Sequence, residues 1–125
     1  MSREVVKTPN APGAVGPYSQ ASIANGFVFT AGQTGMVPGT KELPAGVEAQ
    51  TRQVLENLKA ILTAAGTGLD RVVKTTVFLQ NMGDFATMNA IYAEYFPNDP
   101  PARSTVEVAK LPIGALVEIE AVALV

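Results

Sequence analysis

A chain of 125 residues with 47% hydrophobic positions has material for one core, so a single domain spanning residues 1–125 is expected. Cysteine and histidine are both absent, which excludes thiol nucleophiles, disulfides, Cys/His zinc sites and histidine general bases; catalysis must rest on Glu, Asp, Tyr, Arg, Lys, Ser, Thr, main-chain groups and water. A net charge of -2 and a pI near 5.0 supply no basic stripe for phosphates, so nucleic acid is not an expected partner.

Only 16% of residues are charged, against about 25% in an average soluble protein. Such a surface suits a homo-oligomer that buries part of its exterior. No apolar run approaches the roughly 18 residues of a membrane span, and the start Met1-Ser2-Arg3-Glu4-Val5-Val6-Lys7 lacks the apolar core of a secretory signal. The expectation is a soluble cytoplasmic protein without a membrane partner.

In chain order, residues 4–7 alternate weakly and suggest a short edge strand, followed by a Pro/Gly loop over residues 9–17. Residues 19–24 and 26–31 predict two strands across Asn25-Gly26, a dipeptide suited to tight hairpins. After Gly32-Gln33-Thr34-Gly35, residues 37–46 read as a surface connection. Apolar residues at 47, 54, 55, 58, 61, 62 and 65 form the stripe of a helix over 47–65, with Gly66 as its stop. Residues 72–79 are a β-branched strand. Residues 81–84 open a second helix, with Asp84 as its cap or a first-turn carboxylate; its expected buried stripe is Phe85, Met88, Tyr92, Tyr95 and Phe96, and Pro97 ends it. Residues 100–109 and 115–122 then alternate on either side of a Leu111-Pro112-Ile113-Gly114 turn and predict an antiparallel hairpin.

The order β-β-β-α-β-α-β-β describes an α+β domain with two helices on one face of a mixed six-stranded sheet. Strand alternation puts Arg103, Thr105 and Glu107 on one side and groups Glu118 with Glu120. If those polar sets coincide on the uncovered face, an arginine stands among carboxylates, a setting for a small anion with an acid or base beside it.

Gly16-Pro17-Tyr18-Ser19-Gln20-Ala21, Ala31-Gly32-Gln33, Gln50-Thr51 through Leu62, Val73-Lys74-Thr75-Thr76-Val77-Phe78-Leu79, the Phe85 to Tyr92 helix and Pro101-Ala102-Arg103-Ser104 through Glu118-Ile119-Glu120 together resemble the RidA (YjgF-type) reactive intermediate deaminases. The resemblance runs over nearly the whole chain in order. It implies a chorismate-mutase-like fold, a homotrimer with sites at the subunit clefts, and no cofactor or metal. It also implies hydrolytic deamination of enamine/imine intermediates such as 2-aminoacrylate and 2-iminopropanoate to a 2-keto acid and ammonia.

By the same resemblance Arg103 binds the substrate carboxylate, which suits a permanently charged, two-pronged guanidinium; the competing reading is an ion pair with Glu107, Glu118 or Glu120. Glu118 matches the glutamate that orients the attacking water, with Glu120 a rival of the same parity. Tyr18 matches the pocket wall, or is a packed aromatic with a wet tip. Gly32 matches a point of close main-chain approach to ligand, or is a strand-end turn. Thr105 stands where many members carry a reactive cysteine, so only its main chain is expected to touch the carboxylate, and Ala31 replaces a frequent serine. Asn89 is assigned to bracing the loop before Arg103 rather than to substrate, and Lys74 to solvent or an interface rather than to a Schiff base. Two other functions compete with the deaminase: a 2-keto acid binding or sensing protein without turnover, and a ribonuclease or translation inhibitor, which the acidic pI and missing histidine disfavour.

Overall fold

Asn25-Gly26 turns the chain as its sequence predicts. Both residues are left-handed, at φ 52° and 83°, as a type I′ turn requires. They join strand β2 (Ala21–Ala24) to β3 (Phe27–Thr30) with Ala24 opposite Phe27, and β1 (Glu4–Val6) pairs with the outer edge of β2. These elements belong to a computed structural model that describes residues 2–125.

Helix α1 (Val47–Ala64) buries Val54, Leu55, Leu58, Ile61 and Leu62. It ends in a Schellman motif: Gly66 is left-handed at φ 86°, its N–H donates to the Thr63 carbonyl at 3.0 Å, and Thr67 N–H donates to the Leu62 carbonyl at 2.9 Å. Asp84 stands at the N-cap position of helix α2 (Phe85–Tyr95), as expected, but its side chain makes no cap hydrogen bond. Asn81 caps the preceding turn instead, its Oδ1 accepting from Gly83 N–H at 2.8 Å. The buried face of α2 is Met88, Ile91 and Tyr92, with Phe96 just beyond, while Phe85 is exposed, contrary to the expected stripe.

The sheet has seven strands in the order β1-β2-β3-β7-β5-β6, where β5 is Val72–Leu79, β6 Ala102–Glu107 and β7 Val117–Leu124; β4 (Gln33–Thr34) also pairs with β7. The additional strand, β4, has two residues, too few for an alternating pattern. The expected hairpin of the last two strands does not form. β6 lies parallel to β5 at the sheet edge, α2 being the crossover, and β7 inserts antiparallel between β5 and β3. Burial explains the choice. β7 buries alternate residues Val117, Ile119, Ala121 and Ala123 and gains most from a central place, whereas β6 has no fully buried residue. Gln80 carries the connection across the end of β5, donating from Nε2 to the Ala109 carbonyl at 3.0 Å and accepting at Oε1 from Leu111 N–H at 3.2 Å.

Both helices pack on one face, where Leu55, Leu58, Ile61, Leu62 and Met88 meet Val28, Val77, Leu79, Val117 and Ile119, all fully buried. Each such side chain contributes about 1.5–3 kcal/mol. The α+β class with two helices over a mixed sheet therefore holds. The other face is uncovered and carries Phe29, Phe78, Val106 and Val122 among Glu118, Glu120 and Lys74. Among the described residues no helix is long and apolar enough to cross a membrane.

Candidate active site

Strand register decides which side chains can share a site. Partners across a ladder point to the same face, and Arg103 pairs with Thr75, itself paired with Ala121. Thr75 and Ala121 are buried beneath the helices, so Arg103 and, two residues on, Thr105 lie on the helix face. Glu118 pairs with Phe78 and Thr34, and Glu120 with Thr76, on the uncovered face. The expectation that arginine and carboxylates share one face of a protomer is therefore wrong. It failed because it rested on a β6–β7 hairpin, and β5 separates those strands.

Around Glu118 is a cleft of about 310 Å³. The loop before β2 contributes Pro12, Val15 and Tyr18, the β3–β4 junction Ala31 and Gly32, and the turn before β7 Pro112 and Ile113. Glu118 is half-buried, and its carboxyl pKa is raised, first by burial and then by the charge of Glu120. Among the described residues it has no ion-pair partner. Gly32 has a definite reason to be glycine: a Cβ there would collide with Glu118 Oε2 and stand 2.8 Å from Cδ. The space a side chain would fill belongs to the carboxyl group. Glu120 is exposed and outside the lining.

Tyr18 is half in solvent, and its hydroxyl accepts from Val15 N–H at 3.2 Å. Beneath it, buried Gln20 donates to the Thr8 and Pro12 carbonyls at 3.0 and 2.9 Å and accepts from Thr8 N–H at 2.7 Å. This amide fixes the loop that walls the cleft.

Arg103 opens into a second cleft of about 510 Å³ with Asn89, Tyr92, Ala93, Phe96, Pro100 and Pro101. Its guanidinium carbon lies 4.8 Å from the Tyr92 ring centroid and 5.6 Å from that of Phe85, the cation–π arrangement that favours arginine over lysine. The Tyr92 hydroxyl is 2.7 Å from Thr75 Oγ1; burial raises its pKa against the opposing hydrogen bond and the Arg103 charge, so the ring stays neutral. No carboxylate takes Arg103: among the described residues the one ion pair joins Arg52 and Glu94, and Glu107 accepts instead from Met82 N–H at 2.8 Å. Among the described residues, two buried side-chain polar atoms, Asn89 Oδ1 and Thr105 Oγ1, have no partner. On Lys74, the Nζ lies 3.2 Å from Ser104 Oγ on the uncovered face.

The structure thus brings Tyr18, Gly32 and Glu118 together, gathers Arg103 and Asn89 elsewhere, and leaves Thr105 and Glu120 outside both linings. Sequence reasoning missed that Phe85 and Tyr92 cradle Arg103, and that Ile113 and Val15 edge the Glu118 cleft. The first was open to detection, since residues seven apart on a helix share a face; the second depends on a backbone conformation no periodicity reports.

Two clefts thus lie on opposite faces of the sheet, one with a guanidinium unpaired among the described residues and one with a carboxyl of raised pKa. The chain belongs to the family described as Endoribonuclease L-PSP, whose model matches residues 8–125, and with it to the RidA/YjgF group. A RutC family protein of Pyrococcus horikoshii is 56% identical over 97% of this chain and 97% of its own. The 2-iminobutanoate/2-iminopropanoate deaminase of Escherichia coli is 48% identical over 96% of each. Among solved structures, a Yersinia pestis protein of the conserved Rid family superposes with TM-score 0.94 at 50% identity, over 99% of this chain and all of that one.

Proposed function

We propose that the protein hydrolyses short enamine/imine intermediates, 2-iminobutanoate and 2-iminopropanoate, to the 2-keto acid and ammonia, at sites that take Arg103 from one protomer and Glu118 from its neighbour. The observation that carries this reading is the placement of an uncommitted cation and an uncommitted carboxyl on opposite faces of one sheet. Neither cleft alone holds both charges. The uncovered face supplies the means of joining them, since it exposes Phe29 at 45% and Val106 at 42% beside few charges. Self-association into a homotrimer covers it.

In the assembled site Arg103 and the Thr105 main chain hold the substrate carboxylate. Water held by Glu118 attacks the carbon of the protonated imine, C=NH2+, the π electron pair moves to nitrogen, and Glu118 takes the water's proton as the C–O bond forms. The tetrahedral carbinolamine then gains that proton at nitrogen, the C–N bond breaks, ammonia leaves, and the carbonyl forms with loss of the hydroxyl proton. The raised pKa of Glu118 makes it a stronger base than a solvated carboxylate. Tyr18 walls the site, Gly32 leaves room for the carboxyl, and Asn89 lines the Arg103 cleft with a buried Oδ1 that has no partner among the described residues.

The other readings fit the clefts less well. The two clefts hold one cationic side chain, Arg103, where cleavage of RNA wants several phosphate contacts. Binding without turnover leaves the raised carboxyl of Glu118 with no task.

A mixing experiment tests both chemistry and geometry. A dehydratase generates 2-aminoacrylate from serine, and keto-acid formation is followed with wild type, Arg103→Ala, Glu118→Gln, and the two variants refolded together. Alone, Glu118→Gln is inactive and Arg103→Ala keeps at most about a tenth of wild-type kcat/KM, with substrate held below the wild-type KM. Random mixed trimers regain about a quarter of wild-type activity, because one interface in four joins an intact Arg103 to an intact Glu118. An inactive wild type refutes the deaminase, and no recovery on mixing refutes the shared site.

A further inference from the structure

Ile113 is in an improbable conformation for its type. It is β-branched, yet it sits at φ 54° and ψ 22°, in the left-handed region that β-branched residues avoid. Its side chain is 54% exposed and lines the Glu118 cleft. No gain in core packing offsets that backbone. Strain of this kind persists where the surroundings fix it, and here they do. Gln80 Oε1 accepts from Leu111 N–H before the turn, Ala115 N–H donates to the Pro112 carbonyl across it, and buried Gln50 Oε1 accepts from Leu116 N–H after it at 2.9 Å. Val15, also lining the cleft, is built alike: 64% exposed, with its N–H donating to the Tyr18 hydroxyl, on a loop clasped by buried Gln20. Hydrogen bonds thus fix the backbone that presents two exposed aliphatic side chains at one cleft.

We propose that Ile113 and Val15, with Met36 in the same cleft, form an aliphatic wall that receives the substrate's alkyl group and makes the enzyme prefer imino acids of four or more carbons over three. The inference rests on the deaminase reading above. An imine carbon has three substituents in a plane. With the carboxylate taken by Arg103 and the nitrogen and its attacking water by Glu118, the alkyl group is left to the remaining wall. That wall is apolar and offers no hydrogen-bonding side chain from Val15, Met36, Pro112 or Ile113. Each further methylene placed on it leaves water.

Imines of three, four and five carbons, generated in situ by an amino-acid oxidase from the D-forms of alanine, 2-aminobutyrate and norvaline, are given to wild type, Ile113→Gly and Ile113→Asn. kcat/KM, Tm and oligomeric state are measured for each. A methylene in an apolar pocket is worth about 10- to 200-fold, so wild type favours four carbons over three by at least about tenfold and both variants by less than about threefold. Glycine and asparagine accept the left-handed backbone, so Tm stays level or rises. That result separates selection from a purely structural role, which would cost stability. An unchanged preference in either folded variant overturns the proposal. So does failure of both to fold, because the backbone argument requires them to be tolerated, and so does dissociation of the assembly, which assigns Ile113 to the protomer interface. A wild type inactive on all three imines overturns the deaminase reading itself.

Discussion

Gly32→Ala is a probe of Glu118 from outside Glu118. Gly32 is not among the left-handed glycines, so alanine brings no backbone strain there. The new methyl carbon would stand 2.8 Å from Glu118 Cδ and 3.1 Å from Cγ, and would collide with Oε2. The carboxyl must swing away. Displacing one side chain from its rotamer costs about 0.5–1.5 kcal/mol, a loss in Tm of roughly 2–6 °C for a domain of this size. Catalysis suffers far more, because a misplacement of about 1 Å costs on the order of 100-fold in rate. The coupled keto-acid assay and a thermal melt on the same sample therefore give a small stability change beside a large fall in kcat, with KM for the carboxylate little altered. A Gly32→Ala protein within about threefold of wild-type kcat would show that the Glu118 carboxyl does not aim the water.

Because burial and Glu120 raise the Glu118 pKa above its ordinary 4.5, kcat/KM falls as pH drops through that raised value, and Glu120→Gln moves the acidic limb to lower pH; a pH–rate profile checks both. The same shift has a stability sign: the folded state holds the proton more tightly than the unfolded, so ionised Glu118 costs stability above that pKa and nothing below the unfolded one. Glu118→Gln should therefore raise Tm at neutral pH while abolishing turnover and sparing carboxylate binding, read by melting and by calorimetry with a keto acid. Arg103→Ala removes charged hydrogen bonds worth about 1.5–3 kcal/mol, raising KM roughly 10- to 100-fold with the fold intact by circular dichroism. Arg52→Ala breaks the bidentate pair to Glu94, at 2.9 and 3.0 Å on the exposed helix surface, and leaves Tm unchanged, since solvent screens that pair.

Local signals were legible and pairing was not. The α1 stripe, the Gly66 stop and the Asn25-Gly26 turn are written within a few residues each, and the structure reproduces them. The neighbour of β6 is not written in β6. It depends on β7 having more to bury, a comparison between distant strands that alternation within either one cannot make. That single choice of neighbour decided the face of Arg103. Phe85 was misplaced for a related reason: its spacing fits the α2 stripe, but the guanidinium lies against its ring.

Putting Arg103 and Glu118 on opposite faces has a chemical consequence of its own. Had they shared a face in one protomer, the guanidinium would have met the carboxylate directly, as Arg52 meets Glu94, where the hydrogen-bonded arginine draws the glutamate pKa down. A carboxylate so lowered is a poor base, and an arginine so paired has fewer donors for substrate. Apart, each keeps what its task needs. Burial lifts Glu118, and the Arg103 guanidinium lies against two aromatic rings with no carboxylate partner among the described residues. In the proposed assembly they come within reach of one substrate, whose carboxylate would neutralise the arginine before the glutamate could. Oligomerisation on this account keeps a base and an anion receptor from cancelling each other, in addition to covering the apolar sheet face.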